Sequence, residues 1–337
     1  MVPLGNSRAL TMLLLAIALA GAQQGIAQAS SMQAPETESR EPLETLQVNV
    51  NVVNVFCNVK DKRGALIPDL KKEDFELYED KAKQNIKYFS SETNQPLTLG
   101  MLIDTSGSLQ AVLPMEQEVG SAFLDEVVRD RDLGFLISFD TRAELLQDLT
   151  SASRELRHAL RRTKVTTPPP TAAGPPGIGQ GPFPTASNTP GTVLYDAVYL
   201  AATEKLSREV GRKALIILTD GVDEGSRVKL RDAIEATQKS DAICYVLLFT
   251  GGIYGGGGGG EMNKLAQETG GRVFEISKPD KLKPAFDQIA NELRTQYNLG
   301  YTPTNNKKDG SFRRIEIRTK KEYKVQARRG YYALPEK

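Results

Sequence analysis

Apolar residues follow two different patterns along the chain. Between residues 46 and 60, apolar and polar residues alternate, which predicts a β-strand with one buried face. The phase of this alternation changes between Val52 and Val53, which predicts a β-bulge at that point. Apolar runs at residues 75–78 and 84–89 then predict the two strands of a hairpin. The opening of the folded region is therefore expected to be all β.

A second pattern of apolar residues begins at residue 97. Short, fully apolar segments alternate with segments whose apolar residues recur at helical spacing. Strands that are apolar on both faces and alternate with helices are typical of a parallel, doubly wound sheet. The sequence therefore predicts a mostly parallel α/β domain over residues 95–296. Its predicted strands are residues 97–103, 133–139, 143–149, 214–218, 243–249 and 272–276.

After residue 296 the alternating pattern returns. Residues 297–301 alternate between apolar and polar positions, and Asp309-Gly310 is a turn signal. Each of the two β segments has too few strands to be stable alone. We therefore expect one discontinuous, β-sandwich-like domain made of residues 46–94 and 297–337, with the α/β domain inserted in it.

The first 45 residues predict export. Arg8 precedes an apolar run over residues 9–20, and two A-x-A patterns follow, which is the layout of a signal peptide over residues 1–29. The apolar run is too short to cross a bilayer, and no later segment of spanning length occurs. Residues 30–45 are polar and predict a flexible leader. The mature chain is expected to be periplasmic or secreted, without a transmembrane segment.

Charge and rare residues exclude several functions. The chain has 43 basic and 42 acidic residues, so no electrostatic feature predicts nucleic acid as a partner. Cys57 and Cys244 lie in apolar runs of different predicted domains, which indicates buried free thiols and no metal cluster. His158 is the only histidine and is expected to face solvent. Nucleophilic catalysis with a histidine base is therefore not predicted.

Two low-complexity segments interrupt the predicted α/β domain. Residues 163–190 are rich in proline and residues 251–260 are nearly all glycine, so both are predicted to be flexible loops. The glycine run matches G-x-G-x-x-G, but any glycine run does so. Because it lacks a downstream acid for the ribose, no dinucleotide site is predicted.

Three loops carry oxygen-bearing side chains to one edge of the predicted sheet. The first is D-x-S-x-S after the strand at residues 97–103, the second is G-T before a helix at residue 194, and the third is T-D-G after the strand at residues 214–218. The carboxyl ends of parallel strands meet at the same edge. Oxygen ligands suit Mg²⁺ or Mn²⁺. The predicted metal ligands are Asp104, Ser106, Ser108, Thr192 and Asp220.

Each of these loops has another explanation when taken alone. The hydroxyls of Ser106, Ser108 and Thr192 could cap the amino ends of helices. Asp220 and Gly221 could form a plain turn. The metal interpretation is favoured because all three loops follow a strand or precede a helix in the order that one site requires.

The motifs resemble those of a known family. D-x-S-x-S, then G-T-x-L-Y-D-A, then T-D-G resembles the von Willebrand factor A domain with its metal-ion-dependent adhesion site, and residues 265–272 are also similar to that family. With F-E-L-Y-E-D at residues 75–80 and R-R-G-Y at residues 328–331, the chain resembles the VWFA-related Acidobacterial domain proteins. The Pro-rich and glycine segments are longer than this family usually shows.

The resemblance implies a role for each predicted ligand. Ser106 and Ser108 would coordinate the cation directly, and Asp104 would act mostly through water. Thr192 and Asp220 would coordinate directly or through water, depending on the conformational state. One coordination position would stay open for an exposed Asp or Glu of a protein partner.

These features favour a binding protein over an enzyme. The expected function is that of an exported, metal-dependent, adhesion-type protein-binding module. The alternative is a scaffold or assembly component of the cell envelope, in which the metal is mainly structural. A hydrolase would need a general base, and the nearby Asp223 and Glu224 are expected in a solvated turn.

Overall fold

The computed structural model describes most of the chain after its first 51 residues. The described residues are 52–91, 95–165, 191–250, 257–321 and 323–333. They all belong to one compact unit, Asn49–Lys337. Within these residues, no helix combines the length and apolar character needed to cross a membrane. Several predicted features lie outside them: the signal peptide, the leader, residues 46–51, residues 166–190 and residues 251–256. The predicted bulge at Val52 and Val53 stays a prediction, because β1 begins only at Val53.

The described chain contains fourteen strands and six α-helices. The strands are β1 (Val53–Lys60), β2 (Phe75–Glu79), β3 (Ala82–Gln84), β4 (Ile86–Ser90), β5 (Leu97–Asp104), β6 (Leu133–Phe139), β7 (Ala143–Thr150), β8 (Arg212–Thr219), β9 (Ala242–Phe249), β10 (Val273–Ile276), β11 (Tyr297–Tyr301), β12 (Phe312–Thr319), β13 (Lys324–Ala327) and β14 (Gly330–Tyr332). The helices are α1 (Leu113–Val127), α2 (Ser153–Arg162), α3 (Leu194–Leu200), α4 (Leu230–Lys239), α5 (Gly259–Thr269) and α6 (Leu282–Arg294). A π-helical segment, Ala201–Leu206, continues α3.

A six-stranded sheet forms the α/β part. Its strand order is β10-β9-β8-β5-β6-β7, and every neighbouring pair is parallel except β6 with the edge strand β7. Starting from β5, the chain adds two strands on one side and three on the other, which is the doubly wound order. The predicted α/β fold class is confirmed.

Helices cover both faces of this sheet. One core lies under α1, α2 and α6, and the other lies under α3, α4 and α5. The side chains of β5 alternate between these two cores, which explains why that strand is apolar throughout. Gly100 leaves room for Phe135, because a Cβ atom at Gly100 would lie 2.3 Å from the Phe135 ring. Close packing around β5 fixes the strand that ends at Asp104.

Strands from the two ends of the chain share the same antiparallel sheets. One sheet has the order β13-β1-β11-β4 and the other has the order β14-β12-β2-β3. Their apolar faces enclose a third core, in which Val55, Leu77, Leu299 and Tyr301 are fully buried. The alternation of β1 appears as predicted, since Val53, Val55 and Cys57 are buried while Asn54 is exposed. Both β segments therefore contribute to one core.

The predicted pairing of residues 75–78 with residues 84–89 is wrong except at Gln84, which pairs with Leu77. β2 pairs with the short strand β3, whereas β4 crosses to the other sheet and pairs with β11. The cause is a two-residue turn: Asp80 and Lys81 have φ values of 46° and 71°, which reverse the chain at once. An antiparallel partner therefore forms immediately after β2.

The glycine-rich loop is also shorter than predicted, because its last residues belong to a helix. Gly259 and Gly260 are the first two residues of α5, and the Met262 N–H donates to the Gly258 carbonyl over 3.0 Å. Cys57 and Cys244 are free and buried, as predicted. His158 is exposed on α2, also as predicted.

Candidate metal centre

Asp104 stands at the carboxyl end of the central strand β5. Its side chain is fully buried, and each of its two oxygens accepts a hydrogen bond. Oδ1 accepts the backbone N–H of Ser106 over 2.9 Å, and Oδ2 accepts the Thr219 hydroxyl over 2.7 Å. Since Thr219 ends the adjacent strand β8, the sheet itself brings the first and third predicted loops together.

A chain of hydroxyls leads from this point to the surface. The Oγ atoms of Ser106 and Ser108 are 2.9 Å apart, and Ser108 Oγ donates to Asp220 Oδ2 over 2.7 Å. Asp220 is buried, Ser106 is half-buried and Ser108 is exposed. The structure therefore brings four of the five predicted residues into one hydrogen-bonded cluster: Asp104, Ser106, Ser108 and Asp220.

Thr192 is linked to this cluster through the backbone. Its carbonyl accepts the N–H groups of Glu224 and Gly225, both over 3.1 Å, in the turn that follows Asp220. In the described structure its hydroxyl makes no hydrogen bond to the cluster. The next residue, Val193, donates its N–H to the Asp140 carbonyl at the end of β6 over 2.6 Å. Thr192 therefore lies on a loop held between β6 and the T-D-G loop.

Helix capping does not account for the hydroxyls of Ser106 and Thr192. Ser106 precedes a short 3-10 turn, Gly107–Leu109, without a capping bond from its side chain. The amino end of α3 is capped by other residues: Asp223 Oδ1 accepts the Tyr195 N–H and Ser226 Oγ accepts the Asp196 N–H, each over 3.0 Å. Asp223 also accepts the Ser226 hydroxyl over 2.6 Å. Asp223 thus has a structural role and is half-buried, rather than lying in a solvated turn.

Burial determines the electrostatics of the cluster. Burial raises the pKa of Asp104 to about 6, and the negative charge of Asp220 acts in the same direction, while hydrogen bonds from Ser106 and Thr219 oppose it. Neither Asp104 nor Asp220 forms an ion pair with a described Lys or Arg. The cluster therefore carries negative charge that the described protein does not neutralise.

Glu116 is a buried acid that the sequence analysis missed. It lies in the first turn of α1, is fully buried, and neither of its carboxyl oxygens has a hydrogen-bond partner among the described residues. Burial raises its pKa to about 8, and the charge of Asp104 acts in the same direction. A signal was present in the sequence, because Glu116 occupies the same helical stripe as the buried Leu113, Gly120 and Phe123.

Asp140 was also missed. It directly follows the apolar strand β6 and is buried. Its position resembles that of Asp104, which is the last residue of β5. Its Oδ1 accepts the backbone N–H groups of Thr141 and Arg142, so its carboxylate stabilises its own turn. Its carbonyl holds the Thr192 loop through Val193. Asp140 positions a neighbouring loop and is not part of the hydroxyl chain.

Two glycines allow the loops to approach each other. Gly221 has a φ of 83°, a conformation that glycine adopts more easily than other residues. A Cβ atom at Gly258 would lie only 1.5 Å from the Gly221 carbonyl oxygen. The last residues of the glycine segment therefore support the loop that carries Asp220.

The chemistry of these residues fits a hard divalent cation. All five predicted ligands offer oxygen atoms, and two of them are carboxylates. No group of three or more His, Cys, Asp or Glu suited to a metal occurs among the described residues. Oxygen donors suit Mg²⁺ better than a soft transition metal, and Mg²⁺ accepts few protein ligands and keeps several waters.

Comparisons with known proteins find similarity in structure. No family model matches the sequence, and no curated protein matches it either. A von Willebrand factor type A structure from Catenulispora acidiphila is 12% identical, with a TM-score of 0.46, covering 77% of this chain and 71% of that one. The protein BatB from Bacteroides thetaiotaomicron is 18% identical, with a TM-score of 0.44, covering 58% of this chain and 97% of that one.

A third similar structure comes from a pilus. The vWF domain of the type V pili tip protein Mfa5 from Porphyromonas gingivalis is 13% identical, with a TM-score of 0.43, covering 58% of this chain and 94% of that one. Domains described as von Willebrand factor A type are thus among the similar structures.

Proposed function

We propose that this protein is a metal-dependent protein-binding module. Asp104, Ser106, Ser108, Thr192 and Asp220 would hold one Mg²⁺ or Mn²⁺ at the carboxyl edge of the central sheet. The observation that carries the proposal is the hydrogen-bonded chain from the buried Asp104 to the exposed Ser108, which ends on Asp220. This chain consists of oxygen donors, carries unneutralised negative charge and reaches the surface.

The roles of the residues follow from their depth in the site. Asp104 is buried and both its oxygens are engaged, so it orients Ser106 and Thr219 rather than facing a partner. Ser106 and Ser108 lie nearer the surface, where a partner can approach. When bound, the cation would supply an open coordination position for a carboxylate of the partner protein.

No catalytic function is proposed for this site. A general base must lie within hydrogen-bonding reach of the reacting proton. Asp223 caps α3, and His158 is exposed on α2, on the face of the sheet covered by α1, α2 and α6. With a cation bound, the site would offer that cation and hydroxyls, which would suit binding of a carboxylate rather than turnover.

We also propose that the protein acts outside the inner membrane. The support is the signal-peptide layout of residues 1–29, which lie outside the described structure. Exported material that keeps Met1, as measured by intact mass, would overturn this part of the proposal.

Partner capture from envelope extract tests the binding function. Wild type and Asp104→Ala are each immobilised, with Mg²⁺ and with chelator. We expect specific capture only by wild type with Mg²⁺, because only that combination has the complete site. Equal capture in all four conditions would rule out adhesion through the cation and favour the scaffold alternative.

A further inference from the structure

A groove with a strong excess of positive charge lies where the β part meets the α/β part. Its volume is about 650 Å³, and its walls come from the turn after β1, the segment between α5 and β10, and β13. The lining contains six cationic side chains and one acidic side chain, Asp61. The cationic residues are Lys60, Lys62, Arg63, Arg272, Lys324 and Arg329.

This excess is local, since the whole chain has 43 basic and 42 acidic residues. The one acid of the lining is used within its own turn. Asp61 Oδ1 accepts the backbone N–H groups of Arg63 and Ala65, over 2.8 Å and 2.9 Å. The carboxylate therefore stabilises the turn after β1 and leaves the groove positively charged.

The floor of the groove has more positive than negative charge. Glu292 of α6 is buried and contacts two cations: Lys60 Nζ over 2.8 Å and Arg272 Nη2 over 2.5 Å. One carboxylate between two cations leaves a net positive charge. In addition, the Nε atom of Arg272 is buried and has no hydrogen-bond partner among the described residues. A buried donor without an acceptor is unfavourable, and it adds to the uncompensated positive charge beneath the groove.

The rim carries further unneutralised charge. Lys62, Arg63 and Lys324 are exposed, and none of them forms an ion pair with another described residue. Burial lowers the pKa of Lys60, and the charges of Arg272 and Lys324 act in the same direction, while Glu292 opposes them. The cations of the groove therefore repel one another, and an anion bound between them would relieve that repulsion.

The shape of the groove favours an extended peptide. All four residues of β13 line it, and β13 is the end strand of its sheet among the described strands. The open edge of a strand offers N–H and C=O groups to a segment that adds to the sheet. A flat lipid surface would contact the rim but would not reach the floor at Lys60 and Arg272.

We propose that this groove binds an extended acidic segment of a partner protein, whose Asp or Glu side chains contact Lys62, Arg63 and Lys324 while its backbone follows β13. This surface is separate from the candidate metal centre. Gly271 and Arg272 directly precede β10, at the amino ends of the parallel strands, whereas Asp104 and Asp220 lie at the carboxyl ends. Binding in the groove therefore requires no divalent cation.

Fluorescence anisotropy with a defined peptide tests this proposal. The probe is a labelled peptide of about ten residues that alternates Glu and Thr, and chelator is present throughout to separate this surface from the metal centre. The full chain is compared with Lys62→Glu/Lys324→Glu. Its matched control is Lys87→Glu/Lys278→Glu, which makes the same charge change at two exposed lysines away from the groove.

We expect the groove variant to bind the peptide at least about tenfold more weakly at 0.15 M salt, and the control variant to bind like wild type. A second peptide, with Pro in place of each Thr, should also bind more weakly because each Pro lacks the backbone N–H that the Thr it replaces could donate. Equal losses in both variants would show a general charge effect and overturn the proposal. Tighter binding of inorganic phosphate or of phosphatidylglycerol vesicles than of the peptide would overturn it as well.

Discussion

Asp104 and Glu116 are both fully buried acids, yet they differ in their partners. Asp104 accepts two hydrogen bonds, whereas neither oxygen of Glu116 has a partner among the described residues. Asp104 could be predicted because it ends an apolar strand and begins a known type of motif. Glu116 could not be predicted as readily, because carboxylates on helices usually face solvent and its burial depends on the packing of α1 against the sheet.

We expect Glu116 to make the stability of the metal-free protein sensitive to pH. Its folded-state pKa, about 8, lies above the value near 4.3 expected in the unfolded chain, so the folded state binds the extra proton. Stability is then lost as pH rises through the folded pKa. Between pH 7 and 9, with chelator present, the free energy of unfolding of wild type should fall by about 1.4 kcal/mol because of this group.

Urea unfolding of Glu116→Gln at pH 7 and pH 9 measures this effect. The variant cannot ionise at this position, so the fall in its free energy of unfolding should be smaller than in wild type by that amount. Glu118→Gln, an exposed residue of the same helix, is the matched control and should behave like wild type. If the free energy of unfolding of Glu116→Gln falls as much as that of wild type, Glu116 does not titrate in this range.

At the scale of elements, inner strands of the central sheet such as β5 and β9 follow directly from sequence, because their apolar segments are buried on both faces. The pairing of β2 does not, since the two-residue turn at Asp80 and Lys81 lacks the glycine that usually indicates one. The position of the Thr192 loop also depends on tertiary contacts. It is held by Asp140 and by the turn at Glu224, which are distant in sequence.

The approach of α5 to the T-D-G loop gives a test at this scale. In Gly258→Ala, the new Cβ would collide with the Gly221 carbonyl, so the loop carrying Asp220 must move. We expect weaker stabilisation by Mg²⁺ in thermal unfolding, together with a loss of stability of about 1–3 kcal/mol.

Gly260→Ala is the matched control for this change. A Cβ atom at Gly260 meets nothing within 4 Å, and the residue lies in the first turn of α5. This variant should keep its response to Mg²⁺ and gain up to about 0.5–1 kcal/mol from the helix preference of alanine. An identical Mg²⁺ response in Gly258→Ala and wild type would show that the glycine contact does not support the site.

At the scale of the whole molecule, the β part depends on both ends of the chain. Val55 and Leu77, from the first segment, pack in the same core as Leu299 and Tyr301, from the last. Deleting residues 297–337 removes β11 to β14 and exposes that core. Limited proteolysis should then cleave within residues 52–90 much faster than in the full chain. Equal protection of residues 52–90 in both proteins would show that the first segment folds without the last.

The central claim is that one divalent cation binds at the hydroxyl chain between Asp104 and Asp220. Electron paramagnetic resonance of Mn²⁺ counts the bound ions directly in wild type, in Asp104→Asn and in Asp220→Asn. We predict one weak site in wild type, since Mg²⁺ and Mn²⁺ keep waters at such a centre, and loss of that site in both variants while their circular dichroism is unchanged. Retention of a single site of wild-type affinity in both folded variants would contradict the account.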